Sequence, residues 1–176
     1  MGYLYELAST PSAYVKPAYY DAHPPQRSNE PVCIPFGSDK QQHCVLWEPD
    51  EVRCEAPVFY FHGGAFVNQP NNQQLTMAAR TAKETGSEVV LMVYPKIPVY
   101  DCAYAYDVCI RYYLDYIQKN DCGRIVFMGD SAGGGLALGL AEALRDGKER
   151  MPEALVLISP WADLTMSNPD MAESVY

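Results

Sequence analysis

Apolar and polar positions change their spacing several times along this chain, and each change marks an element. "PVFYF" (57–61), "EVVLMVYP" (88–95), Arg124 to Met128 and "ALVLISP" (154–160) are short, nearly continuous apolar runs. Runs of this kind, rich in β-branched and aromatic residues, read as strands buried on both faces. Between them the period becomes helical. "NNQQLTMAARTAKETG" (71–86) reads as a helix with an asparagine cap and a glycine stop. From 102 to 119, Tyr106, Cys109, Ile110, Tyr113, Leu114 and Ile117 recur every three or four residues and form one helix face. Ala132 to Arg145 reads as a further helix, stopped near Gly147.

"PVCIPF" and "HCVLWEP" flank the turn "GSDK" and read as a hairpin. Residues 1–30 are rich in Tyr and Pro and show no sustained period, so they form an irregular, cap-like segment. From residue 57 onward, strands alternate with helices. This order predicts an α/β domain over 31–176: a mostly parallel sheet with helices on both faces and the hairpin as its antiparallel edge.

The joint after Met128 carries the first candidate chemistry. Gly129-Asp130-Ser131-Ala132-Gly133 fits G-x-S-x-G between a strand and an apolar helix. Small residues two before and two after the serine let the backbone turn sharply and lift the hydroxyl above the sheet edge. The helix N-terminus then aims unpaired N–H groups at any negative charge that develops there. The competing reading is a strand-to-helix turn in which Ser131 only caps the helix. A second motif, His62-Gly63-Gly64-Ala65, follows a strand upstream of the serine. Acyl transfer needs at least two N–H donors about 3 Å from the developing oxyanion. Ala132 would supply one, and a glycine-rich loop can bring others close. Taken alone, that loop is equally a turn ending a strand.

At this point the chain resembles the α/β-hydrolase superfamily, and within it the hormone-sensitive-lipase-like carboxylesterases. "YFHGGAF", "GDSAGGGLAL" and "LISPWADLTMSNP" carry the likeness over roughly residues 55–170, and "YPKIPVYDCAYAYD" follows it loosely. The resemblance implies ester hydrolysis through an acyl-serine at Ser131, with an oxyanion hole from the backbone of Gly63, Gly64 and Ala132. His62 would shape the loop, and Ala65 stands where the family has a third glycine. Phe66 and Trp161 are expected either to line the substrate pocket or to be core aromatics. In this fold the triad runs Ser, then Asp or Glu, then His. The three histidines, His23, His43 and His62, all precede Ser131. Asp146, Asp163 and Asp170 follow it, and Asp163 matches a structural position of the family. Asp130 is expected to bond locally. The expectation is therefore an α/β-hydrolase domain incomplete at its C-terminus, with nucleophile and oxyanion hole but without acid and base.

The bulk numbers narrow the partners. A net charge of -9 disfavours a nucleic-acid backbone. No apolar run approaches the roughly 18 residues needed to cross a bilayer. The N-terminal "MGYLYELAST" lacks a basic start and a long apolar core, so a cytoplasmic location is expected. The six cysteines form no CxxC or finger spacing and read as reduced core thiols. No metal or other cofactor is expected. The expected partner is a small-molecule ester, with a complementing C-terminal segment or self-association through an exposed sheet edge. The reading from another class is a non-catalytic hydrolase-like module that holds a carboxylate in the same pocket.

Overall fold

The computed structural model describes residues 32–36, 42–49, 51–120, 122–165 and 167. Among the described residues nine elements follow one another: β1 (Val32–Phe36), β2 (Gln42–Trp47), β3 (Val58–Phe61), α1 (Asn72–Thr85), β4 (Val89–Val93), α2 (Cys102–Asn120), β5 (Val126–Asp130), α3 (Ala132–Asp146) and β6 (Ala154–Ile158). The strands form one sheet in the order β1-β2-β4-β3-β5-β6. The hairpin β1–β2 pairs antiparallel, and β2 joins β4 antiparallel. The pairings of β4 with β3, β3 with β5 and β5 with β6 are parallel. The fold is thus the expected α/β sheet with an antiparallel edge.

Strand side chains alternate between two buried layers, which is why their sequences show no polar alternation. Phe59, Phe61, Val90, Met92 and Phe127 pack with Tyr113 of α2 and with Leu136 and Leu140 of α3. Val58, Tyr60, Val89, Leu91 and Met128 face the other way and pack with Ala78 and Ala82 of α1. Helix α1 has its asparagine cap at Asn71 and ends at Gly86, which takes the left-handed conformation at φ 71°.

Two boundaries differ from expectation. β5 spans Val126–Asp130 rather than Arg124 to Met128, because parallel pairing runs from Val126 beside Val58 and Ala154 to Asp130 beside Ile158. The strand therefore continues to the residue before the serine. β4 stops at Val93, before Tyr94 and Pro95. The irregular segment 1–30, the turn "GSDK", His23 and Asp170 lie outside the described residues.

β6 is the free edge of the sheet among the described residues. Leu155, Val156 and Ile158 are 37%, 45% and 41% exposed, although the strand is as apolar as the interior ones.

Candidate active site

The C-terminal ends of the parallel strands meet at the β5–α3 joint. Ser131 takes φ 52° and ψ -121°, a conformation that costs a non-glycine residue roughly 1–3 kcal/mol and persists only where its surroundings enforce it. Those surroundings are backbone contacts that exclude side chains. A Cβ on Gly129 would lie 2.4 Å from the Gly133 carbonyl oxygen, and one on Gly133 would lie 2.0 Å from that of Phe61. The backbone of β3 thus presses directly on the first turn of α3. The Ser131 N–H donates to the Ile158 carbonyl at 3.0 Å, and its own carbonyl accepts from Trp161 N–H at 2.8 Å. The side chain makes no capping hydrogen bond, and the residue is exposed. This removes the reading in which Ser131 only caps the helix.

The loop after β3 lies against this elbow. A Cβ on Gly63 would come within 3.1 Å of the Ser131 Cβ. Gly64 has φ 129°, and Ala65 and Phe66 are at φ 54° and 60°, so the chain folds tightly through these residues. Val67 and Asn68 N–H both donate to the Gly64 carbonyl, at 3.0 and 2.9 Å, and close the turn. One expectation needs correcting here. Gly63 is not a free oxyanion donor, because its N–H donates to Asp130 Oδ1 at 2.9 Å. The N–H groups of Gly64, Ala65 and Ala132 find no acceptor among the described residues.

The geometry is that of a strained serine beside a positive-φ loop. Residues 58–175 match the family model described as the alpha/beta hydrolase fold. The chain belongs to the α/β-hydrolase fold family. An esterase of Acinetobacter venetianus is 31% identical over 130 residues, which is 69% of this chain and 42% of that protein. An acetyl-hydrolase of Streptomyces hygroscopicus is 32% identical over 125 residues, again 69% of this chain and 42% of the relative. A solved hormone-sensitive lipase from a metagenome library superposes with TM-score 0.71 at 25% identity, covering 93% of this chain and 53% of that one. Within the α/β hydrolases this chain is hormone-sensitive-lipase-like. The chain spans less than half the length of the curated relatives it matches.

In this α/β hydrolase, His62 is wholly buried. Its Nδ1–H donates to the Gly63 carbonyl at 2.7 Å, and its ring stacks on Tyr94 at 4.7 Å. Burial, with Lys96 nearby, holds the imidazole well below its usual pKa. The Tyr94 hydroxyl donates to the His62 carbonyl at 2.7 Å, so Tyr94 grips both the ring and the backbone of the loop. Phe66 is buried and sits 6.3 Å from the ring of Trp161, which is half-buried. Phe66 belongs to the buried core cluster, and Trp161 packs against that cluster. His43 is the second residue of β2 and pairs in register with Val93. Asp146 is exposed and ion-paired with Arg145 at 2.9 Å, and Asp163 accepts from Thr165 and Ser167 in its own turn. The Asp163 carboxyl is held below its usual range by those hydrogen bonds, first of all by the Thr165 hydroxyl.

Sequence reasoning missed the carboxylate beneath the loop. Asp130 accepts from the Tyr60 hydroxyl at 2.7 Å and from Gln74 Nε2 at 2.9 Å, in addition to Gly63. The only signal for Gln74 is its place three residues after the Asn71 cap, in a capping box. The buried Lys96, behind the loop, was also missed. The "YPKIP" context, directly after an apolar strand, holds its one clue.

Proposed function

We propose that this chain acts on carboxylic esters through an acyl-serine at Ser131. The observation that carries the reading is an exposed, uncapped serine hydroxyl in a strained turn, with the unpaired N–H groups of Gly64, Ala65 and Ala132 on the loop and helix that meet there. The serine oxygen bonds to the ester carbonyl carbon, and the carbonyl electron pair moves onto the oxygen held by those N–H groups. Collapse of the tetrahedral species breaks the bond to the alcohol oxygen, which leaves with the proton that the serine gave up. Water then attacks the acyl-serine in the same way and releases the acid. Phe66 and Trp161 give the acyl or alcohol group an apolar wall.

Among the described residues no hydrogen bond joins a titratable side chain to the Ser131 hydroxyl, so its proton reaches the leaving alcohol through water. Losing the base of a serine triad costs on the order of 10⁶ in kcat, while an oxyanion hole still leaves roughly 10³- to 10⁴-fold over water. Hydrolysis of an activated aryl ester by this chain is thus expected to be slow, saturable and abolished by Ser131→Ala. An equal rate in the Ser131→Ala variant, together with binding of a simple carboxylate, would favour the non-catalytic module.

The free β6 edge bears on partners. Apolar side chains at 37–45% exposure on a strand whose outer edge has no partner among the described residues recruit another strand. Concentration-dependent association is expected in solution, and Val156→Lys is expected to shift it toward monomer. Sedimentation at several concentrations reads this directly. A parent chain that stays monomeric throughout would contradict it.

A further inference from the structure

Asp130 is a half-buried junction rather than a local turn residue. Its Oδ1 accepts from the Tyr60 hydroxyl and the Gly63 N–H, and its Oδ2 accepts from Gln74 Nε2. The orientation of the Gln74 amide is not free. Its Oε1 accepts the Asn71 N–H at 2.9 Å, and a backbone N–H can only donate, so the amide nitrogen must face Asp130. The Gln74 N–H in turn donates to Asn71 Oδ1 at 3.0 Å. Gln74 is 8% exposed and Tyr60 is fully buried, so these donors are shielded from water. Hydrogen bonds to a carboxylate are roughly twice as strong as neutral ones. There is also no slack: a Cβ on Gly63 would sit 2.4 Å from Asp130 Oδ2.

We infer that Asp130 and Gln74 are positioning residues that fix the oxyanion loop. Through them the N-terminus of α1 holds Gly63 down on the elbow and leaves the next two N–H groups, of Gly64 and Ala65, as the ones that face a substrate. The inference rests on the proposed ester chemistry, and it assigns the loop's geometry to a helix that does not touch Ser131. Displacing a reacting group by about 1 Å can cost roughly 100-fold in rate.

A charge-swapped pair tests it. Asp130→Asn turns an amide NH2 toward the NH2 of Gln74. Gln74→Glu sets a carboxylate against a carboxylate. Combined, the new carboxylate at 74 accepts from the new amide at 130 and from the Asn71 N–H, while the amide oxygen at 130 still accepts from Tyr60 and Gly63. Two readouts are used: the Gly63 amide resonance and its exchange protection, and Ser131-dependent aryl-ester hydrolysis. Each single change is expected to move the Gly63 resonance and lower kcat about 10- to 100-fold with KM little altered. The double variant is expected to return both to within about threefold of the parent. Losses that add in the double variant, or single variants with an unmoved Gly63 amide and parental kcat, would overturn the inference. If the single variants do not fold, Tyr60→Phe removes one donor with the packing kept. It is expected to shift the Gly63 amide and lower kcat a few-fold, and an unchanged Gly63 amide there would overturn the inference. Hydrolysis that does not depend on Ser131 would sink the ester reading, while the Gly63 amide would still decide the positioning role.

Discussion

Replacing Lys96 with methionine is expected to stabilise this protein and to flatten the pH dependence of its stability. Lys96 is fully buried, with its amine donating to the Tyr94 carbonyl and lying 3.5 Å over the Tyr94 ring centroid. No carboxylate pairs with it among the described residues, and burial pushes the amine well below its usual pKa. Burial lowers the His62 imidazole, raises the Tyr94 phenol, and pushes the Cys109 thiol up to about 12. The folded amine therefore gives up its proton at a lower pH than the unfolded amine, whose pKa is about 10.4. Between the lowered folded value and that limit the unfolded state binds more protons. Stability contributed by this site consequently rises with pH, by about 1.4 kcal/mol per pH unit, and falls as pH falls. Methionine keeps the length and removes the titration. The difference between thermal melts of parent and variant cancels the other groups. The gap in stability is expected to widen as pH falls from the unfolded pKa toward the lowered folded one, by at most about 1.4 kcal/mol per pH unit. A variant that is less stable, with the parental pH slope, would contradict this account.

Gly133→Ala is expected to cost about 3 kcal/mol or more, against the ordinary preference of helices for alanine over glycine by roughly 1 kcal/mol. The new methyl would lie 2.0 Å from the Phe61 carbonyl oxygen and 2.6 Å from the His62 carbonyl carbon, both backbone atoms that no rotamer change can move. β3 and α3 would have to separate at the point where the loop meets the elbow. Ester reactivity is expected to fall with stability. Gly147→Ala serves as the comparison, since its nearest contact is 3.2 Å, and chemical denaturation of the two variants gives the difference. Equal stabilities would mean that the strand and helix do not press together as described.

The element order was legible because the strands are apolar on both faces and the helices carry their own punctuation, from the Asn71 cap to the Gly86 stop. The serine joint was legible for the same reason: small residues stand where two backbones must touch. What was hidden depends on contacts distant in sequence. The N–H of Gly63 looks available in "HGGAF", and only the fold brings Asp130, 67 positions away, close enough to take it. The end of β5 was misjudged because Gly129 and Asp130 read as turn residues, while pairing with β3 and β6 extends the strand through them. Lys96 escaped because a lone charge after a strand ordinarily lies in solvent. Here the side chain is fully buried over the Tyr94 ring, and the Tyr94 carbonyl receives its amine.

The central claim is that Ser131 is a nucleophile facing open N–H donors, and trapping its acyl form tests it most directly. The chain is incubated with an activated aryl acetate, quenched in acid, and mapped by peptide mass spectrometry. The account predicts a single acetyl group on the peptide that contains Ser131, absent in Ser131→Ala and diminished in Gly133→Ala. Acetyl groups confined to surface lysines, equally in parent and Ser131→Ala, would contradict it.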